Sequence, residues 1–309
     1  YVDGFHSSGT CGVFGAVVAC SKLRGFDIKK TQTSMGIAAS QASGLRENFG
    51  TMMKPFHIGH AGEVGVLSAD LAALGWTASD KIIEAPGGFF HAFGGSYEPE
   101  TMMHELGNPW TFLRPGVSIK PFPSGSLTHP AMSELQRLMH EHNIKANEVD
   151  WVEVGTNHNM PSTLIHHDPK TALQAKFSME FCMAILLLDR KAGLTEFTDQ
   201  VVNRPDVQEM IRRIHFVVSA EAEAAGYDKM TSLLKIKLKN GQTIMGRADF
   251  AKGSPALPMS YDEVAEKFMG CADSAKWPTA RSRKIIEIIR DLEDVADIRL
   301  LVELCRRTW

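Results

Sequence analysis

The sequence has few cysteines, no long apolar run and no large excess of charge of one sign. Its five cysteines are scattered and include no Cys-x-x-Cys pair, which argues against a disulfide framework and against a zinc or iron–sulfur cage. No stretch approaches the roughly 20 apolar residues that cross a bilayer, and no cleavable signal is visible at the start. The 33 Lys and Arg and 36 Asp and Glu residues form no long run of either sign, so nucleic acid is not an expected partner. We expect a soluble protein of the cytoplasm, or of the mitochondrion in a eukaryote.

The first third of the chain consists largely of small apolar residues at helical spacing. Ala, Val and Gly dominate three stretches there, and Gly25 and Gly75 occupy positions just after a helix end. These patterns predict helices over residues 10–24, 28–43 and 59–75.

After Arg114-Pro115-Gly116 the pattern changes to that of an α+β domain. Residues 119–125 are rich in Pro and Gly, which is typical of a hinge. Farther on, Asn240-Gly241 lies between two apolar stretches, a strong short-range signal of a β-hairpin. The α+β elements are predicted as helices 130–142 and 170–189 and strands 151–154, 214–219, 232–238 and 243–248.

The end of the chain returns to helical patterns. Ser260-Tyr261-Asp262-Glu263 matches a capping box, and Pro278 interrupts the helical pattern that follows. The sequence therefore predicts a mainly α protein with an inserted α+β domain. Residues 1–117 and 255–309 are assigned to a discontinuous helical domain, and residues 118–254 to an α+β lid.

Basic residues are concentrated at Lys54, His57 and His60. Because Pro55 disfavours helical geometry at Lys54, the segment is predicted to be a turn that presents cations just before a helix. The N-terminus of that helix would add backbone N–H donors and a partial positive charge. The segment is either a carboxylate-binding corner or a solvated loop with incidental basic residues.

Two further places offer titratable side chains. His6 lies between glycines ahead of an apolar helix, where an imidazole either caps the helix or acts as a base in a cleft. Lys120 and His129 flank the predicted hinge between the two domains, and interdomain hinges often form clefts. For Lys120 taken alone, an ordinary surface charge is the competing interpretation.

The loop after the strand at 151–154 is a second concentration of histidine. His158 is followed by His166-His167-Asp168. A metal site is conceivable here, but the residues lack the regular spacing of a His-x-x-x-His pair or a cysteine set. We therefore expect no metal at this loop.

Together, these segments resemble the MmgE/PrpD family, which includes 2-methylcitrate dehydratase, cis-aconitate decarboxylase and iminodisuccinate epimerase. The resemblance rests on an ordered set of motifs that spans essentially the whole chain. In chain order they are Gly4-Phe5-His6, residues 38–45 (AASQASGL), residues 50–59 (GTMMKPFHIG), Gly87-Gly88-Phe89-Phe90, Lys120-Pro121-Phe122-Pro123 and Ala175-Lys176-Phe177-Ser178.

The resemblance implies a discontinuous helical domain with an inserted lid, a homodimer, and catalysis without metal or organic cofactor. It matches His6 to the site histidine of the Gly-Phe-His motif and Lys54 to the lysine of the Lys-Pro-x-His motif. Lys120 matches the lysine at the lid hinge. These three are the implied catalytic residues. His57 belongs to the same motif as Lys54 and is assigned to substrate binding, and we add His129 near the hinge and His158 in the lid loop as candidate substrate-binding residues.

Two departures from the family pattern limit what the resemblance implies. Family members carry a helical segment with further active-site residues ahead of the Gly-Phe-His motif, and the sequence reads as a piece of something longer. Cis-aconitate decarboxylases also place a histidine where an ungapped reading of this chain has Gly125.

The resemblance implies a lyase reaction on a small polycarboxylate. Negative charge develops beside a carboxylate during such reactions, and Lys54 and Lys120 would clamp two carboxylates to stabilise it. His6 would be the general acid or base, since an unperturbed imidazole titrates at about 6.5. The sequence therefore predicts a hydro-lyase that dehydrates a 2-methylcitrate-like hydroxy tricarboxylate. The alternatives are a decarboxylase of cis-aconitate type, an epimerase of a dicarboxylate imine, and an inactive relative that only dimerises or binds carboxylates.

Overall fold

The computed structural model describes residues 4–94 and 97–306. The described residues are mainly helical with an α+β part, as predicted, and their strands form one small mixed sheet. The chain forms two compact units, Tyr1–Trp110 and Thr111–Trp309. The assignment of residues 255–309 to the helical domain stays a prediction. Among the described helices, none is long and apolar enough to cross a bilayer.

The first unit is built of helices whose small residues allow close packing. Its core contains Val13, Val17 and Val64 together with alanines. The predicted helices are present, although the second ends four residues earlier than expected. The helices are α1 (Ser7–Thr10), α2 (Gly12–Leu23), α3 (Ile28–Ala39), α4 (Met53–Ala73), α5 (Phe89–Gly94) and α6 (Pro99–Glu105).

The predicted turn at Lys54 is wrong, because Lys54 and Pro55 lie in the first turn of α4. Proline lacks a backbone N–H, but the first N–H groups of a helix have no acceptor within the helix. Pro55 is therefore compatible with helical geometry at this end. The hydroxyl of Thr51 accepts a hydrogen bond from the Met53 N–H, which supports the early start of the helix.

The second unit combines a four-stranded sheet with helices. All four strands lie before residue 249, with helices between them, and after the last strand the described elements are helical. The strands are β1 (Val149–Thr156), β2 (Ile214–Val218), β3 (Ser232–Leu238) and β4 (Thr243–Ala248). The helices are α7 (His129–Glu141), α8 (Ala172–Ala175), α9 (Met179–Asp189), α10 (Asp199–Val202), α11 (Pro205–Ile211), α12 (Ala220–Ala224), α13 (Tyr261–Ser274), α14 (Thr279–Arg290) and α15 (Arg299–Cys305).

The sheet has the strand order β2-β1-β3-β4, with β1 parallel to β2 and the other pairs antiparallel. At its centre Val152 pairs with Ile214 on one side and Ile236 on the other. The buried residues of α9 and the inward face of α7 complete the core. The sheet and these helices therefore form one framework that carries the loops after β1 and before α7.

Candidate active site

The first unit brings two predicted site residues into direct contact. Nδ1 of His6 lies 3.2 Å from Nδ1 of His57, and the two side chains are buried. His6 is held by an antiparallel bridge between Phe5 and Leu45 and by its own N–H, which donates to the Gly44 carbonyl. Its ring makes no capping bond to α1, so the helix-capping interpretation of this side chain is wrong.

The contact between two ring nitrogens restricts where the protons lie. One Nδ1 must donate and the other accept, so the pair holds one proton between its facing nitrogens. The donating ring then has a lone pair at Nε2, and the accepting ring has a proton at Nε2. The pair therefore offers one basic and one acidic Nε2 while both rings stay neutral.

The surroundings keep this pair neutral. Burial, the charge of Lys54 and the proximity of His57 lower the pKa of His6 to about 4. Burial and then the charge of His60 lower the pKa of His57. At neutral pH both imidazoles are thus uncharged.

Lys54 is linked to the pair through Phe49, which sequence reasoning missed. The buried Phe49 ring packs edge-on against His6, with centroids 5.0 Å apart, and the Lys54 ammonium lies 5.8 Å from the Phe49 centroid. An ammonium over an aromatic face gains from the ring's negative charge distribution. The first unit thus places a cation beside two neutral imidazoles.

Gly44 is a second residue that sequence reasoning missed. Its φ of +124° suits only glycine, and a Cβ there would lie 3.2 Å from Cγ and Nδ1 of His57. Because Gly44 has no side chain, its backbone can pass close to the His57 ring. The sequence signal was the position of Gly44 at the end of the AASQASGL motif.

In the second unit, Lys120 and the buried His129 flank Ser124. Nζ of Lys120 donates to the Ser124 carbonyl at 3.1 Å. Burial and then the charge of Lys120 lower the pKa of His129 to about 4, against an opposing effect of the Ser124 backbone. The side chain of His129 is only 2% exposed, so in this conformation it offers substrate almost no surface.

His158 lies in a third cluster, at the end of β1. Its N–H and Nδ1 both contact the carboxylate of Glu223, at 3.0 and 2.7 Å, and the Tyr227 hydroxyl donates to the same carboxylate at 2.5 Å. Donation from Tyr227 and from His158 lowers the pKa of Glu223 to about 2. Within the described ranges, no three His, Cys, Asp or Glu side chains are placed to hold a metal.

Two family models match successive parts of the chain. The MmgE/PrpD N-terminal domain matches residues 1–102, and the MmgE/PrpD C-terminal domain matches residues 122–294. The chain belongs to the MmgE/PrpD family. The resemblance drawn from the motifs is thus confirmed, and His6 and Lys54 fall in the part matched by the N-terminal model.

Curated members of the MmgE/PrpD family resemble this chain over nearly its whole length. It is 26% identical to the cis-aconitate decarboxylase of Homo sapiens and to that of Mus musculus, each over 98% of this chain. It is also 26% identical to the cis-aconitate decarboxylase of Aspergillus terreus (strain NIH 2624 / FGSC A1156). The chain spans 63%, 62% and 64% of these three relatives, respectively.

Proposed function

We propose that the protein containing this chain is a cofactor-independent lyase of small polycarboxylates, and that the His6–His57 pair moves the protons. The observation that carries the proposal is the 3.2 Å contact between the two Nδ1 atoms beside Lys54. Such a pair offers a base and an acid together.

Dehydration of a hydroxy tricarboxylate such as 2-methylcitrate uses both the basic and the acidic Nε2 of the pair. The basic Nε2 takes the proton from a carbon beside a carboxylate, and the C–H electron pair becomes the new C=C bond. The hydroxyl leaves with the proton of the acidic Nε2 and departs as water. Transfer of the proton shared between the two Nδ1 atoms then returns both rings to neutrality with their roles exchanged.

Lys54 supplies the positive charge that this step needs. Negative charge builds up on the carboxylate next to the reacting carbon, and an ammonium in a site that excludes water stabilises it by several kcal/mol. The cation also keeps His6 unprotonated by lowering its pKa. Lys120 is proposed as a second carboxylate-binding cation on the strength of its family motif.

The surroundings of Gly125 favour dehydration over decarboxylation. A Cβ at this residue would lie 3.2 Å from Cδ2 of the buried Leu164 and 3.4 Å from the Lys176 carbonyl. The Gly125 N–H also donates to that carbonyl at 2.7 Å. The histidine that the decarboxylase pattern has at this place would therefore require Leu164 and its neighbours to shift.

Decarboxylation of a cis-aconitate-type substrate is the second candidate. The curated relatives named above favour it, since each is a cis-aconitate decarboxylase. The same pair would serve here by protonating the carbon that loses CO2.

Product analysis with the full-length protein tests the proposal. 2-Methylcitrate, citrate, cis-aconitate and a dicarboxylate imine would each be incubated in D2O and followed by NMR and by CO2 release. Loss of water from a hydroxy tricarboxylate supports the leading proposal, and CO2 release replaces it with the second candidate. Deuterium exchange without net conversion indicates an epimerase. Binding without turnover leaves only a carboxylate-binding protein and overturns the lyase.

A further inference from the structure

The Phe49 ring has a defined position in the first unit. Phe49 is 3% exposed, and its N–H donates to the Arg46 carbonyl at 2.8 Å. Gly50 follows it with φ +86°, a backbone conformation that glycine adopts without strain, and α4 begins three residues later. A ring that is buried and held by a hydrogen-bonded turn can fix the position of the side chains that contact it.

Phe49 contacts two groups of the candidate site. The His6 ring meets it at an interplanar angle of 84°, with centroids 5.0 Å apart. The Lys54 ammonium lies over the same ring, 5.8 Å from its centroid. Because the faces of an aromatic ring carry partial negative charge, the Lys54 ammonium is attracted to Phe49. One uncharged side chain thus connects the cation with the imidazole pair.

An aromatic ring attracts a cation without cancelling its charge. A carboxylate at this place would neutralise the Lys54 ammonium, and an aliphatic side chain would not attract it. The charge of Lys54 acts on His6, since it contributes, after burial, to lowering the pKa of His6 to about 4. A phenyl ring therefore suits a site in which the same ammonium acts on an imidazole and on a substrate carboxylate.

We propose that Phe49 is a positioning residue whose ring holds the Lys54 ammonium beside the His6–His57 pair and leaves its positive charge in effect. The inference rests on the proposed function, in which Lys54 stabilises a carboxylate and the pair moves protons. Phe49 itself contacts the pair and the cation, and its role is to set where the cation lies.

A series of fluorinated phenylalanines at residue 49 tests this role in the full-length protein. Fluorine withdraws electrons from the ring face while the ring keeps nearly its size, so mono-, di- and pentafluorinated rings should hold the ammonium progressively less well. The dissociation constant of the unreactive tricarboxylate tricarballylate should rise along the series, by about tenfold for the pentafluorinated ring. The same series at Phe26, whose ring contacts Lys30 at 5.2 Å, is the matched control and should leave binding unchanged.

A second readout does not depend on the function. Histidine ¹H–¹³C spectra, assigned with His6→Asn, follow the titration of His6. Its pKa should rise from about 4 along the series at residue 49, toward the value in Lys54→Met. In the Lys54→Met background the same series should have no effect, because the cation that the ring holds is gone.

The two backgrounds decide between a positioning role and ordinary packing. If His6 titrates at the same pH along the whole series, or if the series shifts it equally in Lys54→Met, the positioning role of Phe49 is wrong. If the wild type neither binds nor converts a polycarboxylate but the titration follows the fluorine content only when Lys54 is present, the proposed function fails and the positioning of Lys54 by Phe49 stands.

Discussion

His6 and His57 face each other through their Nδ1 atoms at 3.2 Å, although they are 51 residues apart in sequence. A hydrogen bond at this distance needs one donor and one acceptor. The two rings are therefore in opposite tautomers, and this relationship underlies the predictions below.

The tautomers can be observed directly. In protein labelled with ¹⁵N-histidine, one of the two rings should carry its proton on Nδ1 and the other on Nε2 at pH 7. Long-range ¹H–¹⁵N correlation spectra, assigned with His6→Asn and His57→Asn, measure this. Finding both rings doubly protonated at pH 7 would contradict the arrangement.

The pH dependence of kcat/KM should reflect the lowered pKa of His6. This pKa is about 4 in the folded protein, against 6.5 for the free side chain. Since protonation removes the base, activity should stay high below pH 6.5 and decline only as the pH falls toward about 4. In Lys54→Met the acid limb should move up part of the way toward 6.5, because the Lys54 charge is gone while burial, the larger cause of the lowered pKa, remains. If kcat/KM of the wild type already declines at pH 6.5, or if the pH of the decline is the same in Lys54→Met, the proposed electrostatic effect of Lys54 on His6 is wrong.

Lys54→Met should also reduce turnover. Loss of the cation that stabilises developing negative charge is expected to lower kcat/KM by about 10²- to 10³-fold at pH 7. Lys22→Met is the matched control, because Lys22 is an exposed lysine on α2 of the same unit. Equal steady-state activity of the two variants would show that Lys54 is an ordinary surface charge.

Gly44→Ala should disturb the His57 ring. The added Cβ at φ +124° would meet the ring at 3.2 Å, so we expect a loss of stability on the order of 1–3 kcal/mol and a kcat/KM reduced by about tenfold. Gly25→Ala is the control, since Gly25 has φ +66° but a Cβ there meets nothing within 4 Å. Thermal unfolding and steady-state kinetics measure both effects. If Gly25→Ala reduces kcat/KM as much, the contact with His57 is not the cause.

Features set by neighbouring residues were predictable from sequence. The hairpin strands have their predicted bounds because Asn240-Gly241 determines the turn chemistry locally. The capping box of Ser260 and Glu263 is present at the start of α13, and α14 begins just after Pro278, where the helical pattern was expected to break.

Features set by distant contacts were not predictable. The helix expected over 170–189 is divided into α8 and α9, and the Lys176 carbonyl between them accepts a hydrogen bond from Gly125, far earlier in the chain. The pairing of His6 with His57 depends on packing between segments that are 51 residues apart in sequence. Motif spacing identified these residues as candidates but did not show which of them touch.

The most direct test of proton transfer by the His6–His57 pair is the rate at which the full-length protein converts a hydroxy tricarboxylate. The rate is measured for the wild type, His6→Asn and His91→Asn. His91 is an exposed histidine of the same unit and serves as the control. Loss of a general acid–base group lowers rates by about 10²- to 10⁴-fold. The turnover rate of His6→Asn should therefore be lower than that of the wild type by this factor, whereas the rate of His91→Asn should equal the wild-type rate. Wild-type rates in a folded His6→Asn variant would contradict the assignment of proton transfer to the His6–His57 pair.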